Sequence, residues 1–231
     1  MTVPDLNVLY EDNHCLAVVK PGRLLIAGDK TGDETLLDLA KQYIKVKYDK
    51  PGDVFLGTVH RLDRPVSGVA LLARTSKAAA RLSEQFRNGT VEKLYHCWVN
   101  GVPSHSQQTI TDWLLKNSTQ NTVQVVPSGT PGARDAKLTY RILEVQGKRS
   151  LLEVQLHTGR SHQIRVQLSS RGWPILGDLK YGGPRCEDRT IIALHSRSLL
   201  FQHPTKKEPV FVDAAIPDCW KDVFHLSRDS H

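Results

Sequence analysis

Short apolar segments separated by polar turns run through most of the chain, and they predict more strands than helices. Residues 8–10 and 16–19 flank a polar turn, as is typical of a β-hairpin. Residues 34–46 instead repeat apolar positions every three or four residues, which predicts a helix. A second helix is predicted over residues 76–87, with Ser76 as its cap and Gly89 in the position of a C-terminal glycine.

The remaining segments are mainly β in pattern. The predicted strands cover residues 54–60, 68–73, 91–99, 136–145, 150–157, 191–193, 198–201 and 210–214. Residues 103–133 predict a short meander with a flexible loop, and residues 218–225 a last helical turn. Ser161 is predicted to cap a short helix over residues 162–170. Because regular βαβ alternation is missing, we predict an α+β fold with a mixed, largely antiparallel central sheet and flanking helices, as a single domain over residues 1–231.

Composition is that of a folded domain that needs neither disulfides nor a structural metal. The chain has 231 residues, 39% of them hydrophobic, and no apolar run approaches the roughly 20 residues of a membrane helix. The first residues do not have the pattern of a secretory signal, so we expect a cytoplasmic protein with no membrane association, and a monomer. The four cysteines are scattered and none has zinc-ligand spacing, so we expect reduced thiols and no metal.

The positive charge is concentrated in two segments. The chain carries 31 Lys and Arg against 24 Asp and Glu, a net charge of +7. Residues 58–98 hold seven basic and three acidic residues, and residues 134–180 hold nine and four, so the remainder is net negative. Charge alone is compatible with a basic groove for a polyanion and equally with an evenly solvated surface. For a groove, the candidate phosphate contacts are Arg74, Lys77, Arg81, Lys137 and Arg160.

The densest polar motif lies at residues 60–68, between two apolar strands. In it Asp63 stands between Arg61 and Arg64 and is followed by a proline and a Ser-Gly pair. A carboxylate between cations should stay ionised at neutral pH, which suits a nucleophile, a base or an electrostatic stabiliser. An isolated motif of this kind would more often be a loop in which the Asp pairs with an Arg.

A second motif, residues 157–165, joins the end of a strand to a short helix. Arg160 precedes the helix and Arg165 lies on its second turn, so one could bind a phosphate while the other reaches inward to a carboxylate. Both could equally be surface residues. His157 and His162 are expected to be hydrogen-bonded structural residues. Tyr95 lies on a strand and shares a face with Lys93 and Cys97, and nothing local makes it functional.

Together these motifs resemble the RluA-like family of RNA pseudouridine synthases. The resemblance covers about residues 8–215 and rests on His60-Arg61-Leu62-Asp63 with Ser67-Gly68, Lys93-Leu94-Tyr95, Gly159-Arg160-Ser161-His162-Gln163-Ile164-Arg165, Pro174-Ile175-Leu176-Gly177-Asp178 with Tyr181-Gly182, Leu194-His195 and His203-Pro204. Val66 and Gln167 depart from the family pattern, which commonly has Thr and His there. Many relatives carry an additional N-terminal S4-type domain, and none is expected here.

The resemblance implies isomerisation of specific uridines in structured RNA, either ribosomal or transfer RNA, in a stem-loop. It places the catalytic carboxylate at Asp63, a base-stacking residue and proton acceptor at Tyr95, and the partner of Asp63 at Arg165. Substrate contacts are implied for Arg61, Arg64, Arg160, His162 and Gln163. The reaction needs no cofactor, and we expect none.

Two alternatives differ in class. The first is a catalytically inactive RNA-binding or RNA-chaperone protein of the same fold, which would be expected to have lost Asp63 or Tyr95. The second is a glycosidase-like or nucleoside enzyme, which would need a second carboxylate near Asp63. Both residues are present and no second acid accompanies the motif, so we favour the RNA-modifying enzyme.

Overall fold

The computed structural model describes residues 5–28, 32–224 and 226. Its helices are α1 (Leu36–Lys47), α2 (Ser76–Asn88), α3 (Gln163–Ser169) and α4 (Cys219–Val223). Its strands are β1 (Val8–Glu11), β2 (Cys15–Lys20), β3 (Gly57–Thr58), β4 (Ser67–Ala73), β5 (Glu92–Asn100), β6 (Gln107–Asn117), β7 (Thr122–Val126), β8 (Arg134–Gln146), β9 (Arg149–Leu156), β10 (Leu194–Gln202) and β11 (Pro209–Asp213). The chain forms two compact units, Met1–Val91 with Ser196–Ala215 and Glu92–His195 with Ile216–His231.

The first unit consists of a sheet and two helices, α1 and α2. Its strand order is β1-β2-β4-β10-β11, with β3 beside β4. The predicted hairpin pairs β1 with β2, and β2 runs antiparallel to β4 with Cys15 opposite Ala73. Residues from β4 and β10, among them Leu71 and Leu199, share a buried cluster with Ala78 and Leu82 of α2. That cluster supports the loop that leads into β4.

Both helices of this unit begin at a threonine that caps them. Thr35 and Asp38 form a capping box at the start of α1, in which each side chain accepts a backbone N–H of the other residue. At α2 the cap is Thr75, whose hydroxyl accepts from the backbone N–H of Ala78, so the predicted cap Ser76 is one residue off. Gly89 ends α2 as predicted, with a positive φ of 72°.

The second unit is built on an antiparallel sheet with the order β5-β9-β8-β6-β7. Each strand in this order pairs antiparallel with the next. On one face, Leu114, Val123 and Ala136 pack against Val166 of α3. The sheet therefore supports the helix that carries the second predicted motif.

The α+β class and the largely antiparallel sheet are confirmed, and three predicted segments need correction. Only Gly57 and Thr58 of residues 54–60 pair as a strand, and residues 191–193 form none. Residues 191–193 are buried, as are Leu56 and Val59 of the first segment, and burial does not require a strand partner. Residues 103–133 were predicted to form a short meander with a flexible loop, but β6 within them is a long strand of 11 residues.

The end of the chain follows the prediction where it is described. Residues 218–225 were predicted as a helical turn, and α4 occupies Cys219–Val223. Residue 225 and the ends of the predicted domain, residues 1–4 and 227–231, lie outside the described residues. Within the described chain, no helix is long and apolar enough to cross a bilayer.

Candidate active site

In the first unit, Asp63 lies half-buried in a tight turn just before β4. Its backbone carbonyl accepts a hydrogen bond from the N–H of Val66 at 3.0 Å, which closes the turn around Pro65. Val66 is buried at 3% exposure and anchors the end of the turn in the core. The departure from the family pattern at this position is therefore an apolar core contact.

The glycine after Ser67 is required by a close backbone approach. Gly68 has a φ of 116°, and a Cβ at this position would lie 2.2 Å from the carbonyl oxygen of Ser196 at the start of β10. Any side chain would separate β4 from β10 at this point, directly after the Asp63 turn. Glycine at this position therefore holds the loop against the sheet.

Lys20, at the end of β2, places a buried ammonium next to the same turn. Its side chain is fully buried, and Nζ donates to the backbone carbonyls of Pro21, Leu24 and Arg64 at 3.0, 2.7 and 3.2 Å. Burial lowers the pKa of Lys20 from its ordinary 10.5 to about 7, while the negative charge of Asp63 acts in the opposite direction. Sequence analysis missed Lys20 because its partners are backbone carbonyls, one of them 44 residues away.

The titration of Lys20 predicts a pH dependence of stability. Between about pH 7 and 10.5 the unfolded chain keeps this proton and the folded chain releases it, so stability should rise with pH by up to about 1.4 kcal/mol per unit. Lys20→Met should lack this contribution. Urea unfolding of both proteins at pH 6.5, 8 and 9.5 measures the difference. A difference that stays constant with pH would contradict a lowered pKa.

The other polar side chains of the 60–68 motif have different tasks. The Nε2 atom of His60 accepts the backbone N–H of Leu71 at 2.9 Å, and its ring stacks on Phe86, so His60 supports β4. Arg64 is exposed, pairs with Asp33 at 2.5 Å and donates to the carbonyl of Arg23. Arg61 is exposed. Substrate contacts by the two arginines remain predictions.

In the second unit, Tyr95 lies in the middle of β5 opposite Val154 of β9. Its ring is 8% exposed, and the predicted alternation is confirmed, because Lys93 and Cys97 on the same face are also buried. The ring is therefore fixed in place by the sheet.

The start of α3 differs from the prediction. Its N-cap is His162, in the left-handed region at φ 50° and without a side-chain cap bond, so Ser161 does not cap the helix. Gln163 organises this turn instead: its Oε1 accepts from the Thr158 hydroxyl and the Arg160 N–H, and its Nε2 donates to the carbonyl of Lys137. Gln163 is 3% exposed, and its predicted role as a substrate contact remains untested.

Arg165 reaches inward, as one of the two interpretations of this motif expected. Its Nε and Nη2 donate to the two carboxylate oxygens of Asp178 at 2.7 and 2.8 Å, and both side chains are at most 6% exposed. The guanidinium also lies 5.1 Å from the ring centre of Tyr181. A buried bidentate pair of this kind holds the guanidinium in one orientation. Sequence analysis gave Asp178 no role and so missed this partner, although Asp178 lies in one of the motifs of the family resemblance.

The neighbouring residues of the motif are also held by polar partners. The two predictions of structural histidines are confirmed, because His162 Nδ1 lies 2.7 Å from the Tyr181 hydroxyl and His157 Nε2 lies 2.8 Å from the Thr139 hydroxyl. Arg160 donates to the carbonyl and the carboxylate of Asp135. Substrate contacts by His162 and Arg160 remain predictions.

Gln167, the second departure from the family pattern, is a structural residue. It is fully buried, and its Nε2 donates to the Asp112 carboxylate at 2.7 Å. The same carboxylate pairs with Arg171 at 2.9 Å. An amide can donate to this carboxylate without titrating, so this position supports α3 against β6.

Arg74, one of the candidate phosphate contacts, is largely buried and held by partners inside the fold. The Arg74 side chain is only 9% exposed, pairs with Glu11 at 3.0 Å and donates to the carbonyl of Asp12. It also stacks on the ring of Tyr48. These contacts hold Arg74 within the first unit, where it acts as a structural residue. Sequence charge counting could not separate buried from exposed arginines.

Asp12, Cys15 and His203 place ligand-type atoms within 4.8 Å of one another. His203 Nδ1 accepts the backbone N–H groups of Thr205 and Lys206, so its Nε2 carries the proton that it shares with Asp12 at 2.6 Å. Burial raises the pKa of the Cys15 thiol to about 12, which disfavours the thiolate that a metal would require. The cluster is thus a hydrogen-bonded anchor between the first hairpin and the turn after β10.

The family model described as RNA pseudouridylate synthase matches residues 14–170, which is more than half of the chain. The chain belongs to this family. It is 30% identical over 229 residues to the ribosomal large subunit pseudouridine synthase C of Vibrio vulnificus, covering 96% of this chain and 70% of that protein. It is 32% identical over 233 residues to the ribosomal large subunit pseudouridine synthase D of Zymomonas mobilis, covering 96% and 72%.

The fold agrees with this assignment. The solved structure titled Human RNA Pseudouridylate Synthase Domain Containing 4 superimposes with a TM-score of 0.80 at 24% identity, over 95% of this chain and 92% of that one. The predicted family, fold class and enzyme class are therefore confirmed. This pseudouridine synthase is an isomerase of uridine within RNA, and Asp63, Tyr95 and Arg165 all lie inside the matched residues.

Proposed function

We propose that this pseudouridine synthase modifies large-subunit ribosomal RNA and that Asp63, Tyr95 and Arg165 form its catalytic set. The RNA target is supported by the names of two relatives. Both are ribosomal large subunit pseudouridine synthases, and each aligns with 96% of this chain. The observation that supports the residue assignment is the match to the family model over residues 14–170, the range in which Asp63, Tyr95 and Arg165 lie. We further propose that both compact units act as one catalytic domain, in the cytoplasm and as a monomer.

The reaction assigns a definite task to Asp63. The N1–C1′ bond of the uridine breaks, the uracil turns, and C5 bonds to C1′ while the C5 proton leaves. Attack of a carboxylate on the sugar and removal of a C2′ proton both require Asp63 to be ionised. Lys20, buried next to the Asp63 turn, interacts electrostatically with this carboxylate.

Arg165 is proposed to support Asp63. A guanidinium has five N–H donors, and Asp178 occupies two of them through the bidentate pair. We propose that donors beyond those two hold the Asp63 carboxylate. Asp178 then acts as a positioning residue, because it sets the orientation of the guanidinium.

Tyr95→Phe should retain RNA binding and lose proton transfer at C5. The phenol ring can stack on a uracil, and its oxygen can take part in proton transfer from C5, for which Phe has no group. Tritium release from C5-labelled uridine in RNA should fall by about 10²- to 10⁴-fold at unchanged affinity. Release at the wild-type rate would reduce Tyr95 to a packing residue of β5.

Mapping of pseudouridine in total RNA tests the proposed target. Cells with and without the gene should differ at one or a few positions of the large-subunit ribosomal RNA. The purified enzyme should restore these positions in RNA from the deletion strain, and the Asp63→Asn variant should not. Loss of pseudouridine from transfer RNA alone would overturn the ribosomal target while leaving the isomerase assignment intact.

A further inference from the structure

The second unit contains a cavity of about 390 Å³ beside the start of α3. Its lining includes the cations Lys116, Arg134 and Arg160 and the aliphatic side chains Leu114 and Val123. Asp63, Tyr95 and Arg165 do not line it. Its volume is near the lower end of the range for small-molecule pockets.

Strand register explains why cations and aliphatic groups meet here. Leu114 of β6 is opposite Arg134 of β8, and Lys116 of β6 is opposite Val123 of β7. Residues opposite each other on neighbouring strands share a face, and alternate residues of one strand do too. All four side chains therefore lie on the same face of the sheet as the core cluster beneath α3. Leu114 and Val123 are 4% and 5% exposed and form an apolar floor.

The three cations differ in how they are held. Arg160 is immobilised at the rim by two hydrogen bonds to Asp135, at 2.8 and 2.9 Å. Lys116 and Arg134 are exposed, and within the described part of the chain neither has an acidic partner. The cavity thus combines a fixed guanidinium, two available cations and an aliphatic floor. One nearby carboxylate, Asp135, does not neutralise the three positive charges.

We propose that this cavity binds one nucleotide of the substrate RNA other than the uridine that reacts. The aliphatic floor suits the face of a base or a ribose, and Lys116 and Arg134 suit the adjoining phosphates. This inference rests on the proposed function, because an RNA polymer carries further nucleotides besides the uridine that reacts. The site would influence which uridines reach the catalytic residues by changing the affinity of the enzyme for the RNA around them, and it would not change the rate of the chemical step.

The test compares two matched pairs of substitutions. Lys116→Ala/Arg134→Ala removes the available cations of the cavity. Lys148→Ala/Arg189→Ala removes the same residue types from exposed positions of the same unit that do not line it. The probe is a transcript of large-subunit ribosomal RNA, with affinity and turnover measured between 50 and 200 mM salt, roughly the range over which phosphate contacts are resolved.

The cavity pair should weaken RNA binding by about tenfold and flatten the salt dependence by about 0.7 per lost contact. Its kcat at saturating RNA should equal that of the control pair. Equal affinity and equal salt slope in both pairs would overturn the nucleotide site, and would leave an acidic protein partner as the remaining occupant to test. If the alanine pair fails to fold, Lys116→Gln/Arg134→Gln keeps the aliphatic stems and replaces it.

Failure of the site and failure of the proposed function give different results. If the wild-type enzyme forms no pseudouridine in the transcript, the ribosomal target is wrong, and the binding comparison repeated with transfer RNA still tests the cavity. If the wild type is active and the cavity pair behaves like the control pair, only the nucleotide site is wrong.

Discussion

Replacement of Asp63 by Asn is expected to abolish pseudouridine formation. The amide keeps the shape of the side chain and can neither attack C1′ nor accept a C2′ proton as a carboxylate does. Loss of a central catalytic group should lower kcat by at least about a thousandfold. RNA affinity should stay within a few fold, because the backbone carbonyl of Asp63, which closes the turn with Val66, is unchanged. Single-turnover assays and filter binding on the same RNA measure the two quantities.

A matched control comes from the same unit. Asp49→Asn makes the same chemical change at an exposed position after α1, where the backbone has a positive φ of 45° that asparagine tolerates. Its activity and affinity should equal those of the wild type. Turnover by the Asp63→Asn protein at a rate similar to this control would end the assignment of Asp63.

Asp178→Asn is expected to cause the largest loss of stability. The carboxylate and Arg165 form a pair that is almost completely buried, and the substitution removes the negative charge that this bidentate contact places against the guanidinium. Such changes typically cost about 3–5 kcal/mol of unfolding free energy. Asp112→Asn is the control, because its partner Arg171 is 28% exposed and water can solvate the remaining charge. Urea unfolding of both variants should show a clearly larger loss for Asp178→Asn.

A double substitution separates stability from catalysis at this pair. Arg165→Met/Asp178→Leu replaces the buried ions by apolar side chains, which is often neutral for stability. The protein should unfold near the wild-type urea concentration and yet form no pseudouridine, since the guanidinium proposed to support Asp63 is missing. A folded double variant with wild-type turnover would show that Arg165 only stabilises α3.

The candidate site could be predicted from the sequence only in part. Asp63, Tyr95 and Arg165 lie in motifs that can be identified from the order of residues in the sequence alone. Lys20 and Asp178 were missed because a partner in space leaves no local mark in the sequence. Lys20 donates to a carbonyl 44 residues further along the chain, and Asp178 lies 13 residues beyond Arg165.

Charge in the sequence was a poor guide to surface charge. Residues 58–98 and 134–180 contain the excess of basic residues. Within them, however, Arg74 forms a buried ion pair with Glu11, and Arg165 forms one with Asp178. Lys116, in a segment of balanced charge, lines the basic cavity because β6 places it opposite Val123 and next to the β8 strand that carries Arg134. Pairing between strands, and not the local density of charge, brings these groups together.

The sequence by itself determined the fold class, the hairpin at the start, α1 and α2 and the family, because hydrophobic periodicity, turn glycines and motif order are local properties. Tertiary structure decided the rest. It turned the apolar residues 191–193 into a buried irregular segment, in which the Ala193 N–H donates to Leu176 and its carbonyl accepts from Trp98. It also made Gln163, and not Ser161, the residue whose side chain accepts the hydrogen bonds of the turn before α3. In each case a buried polar group takes the partner that packing brings within about 3 Å, and that partner is distant in the sequence or hidden among equivalent neighbours.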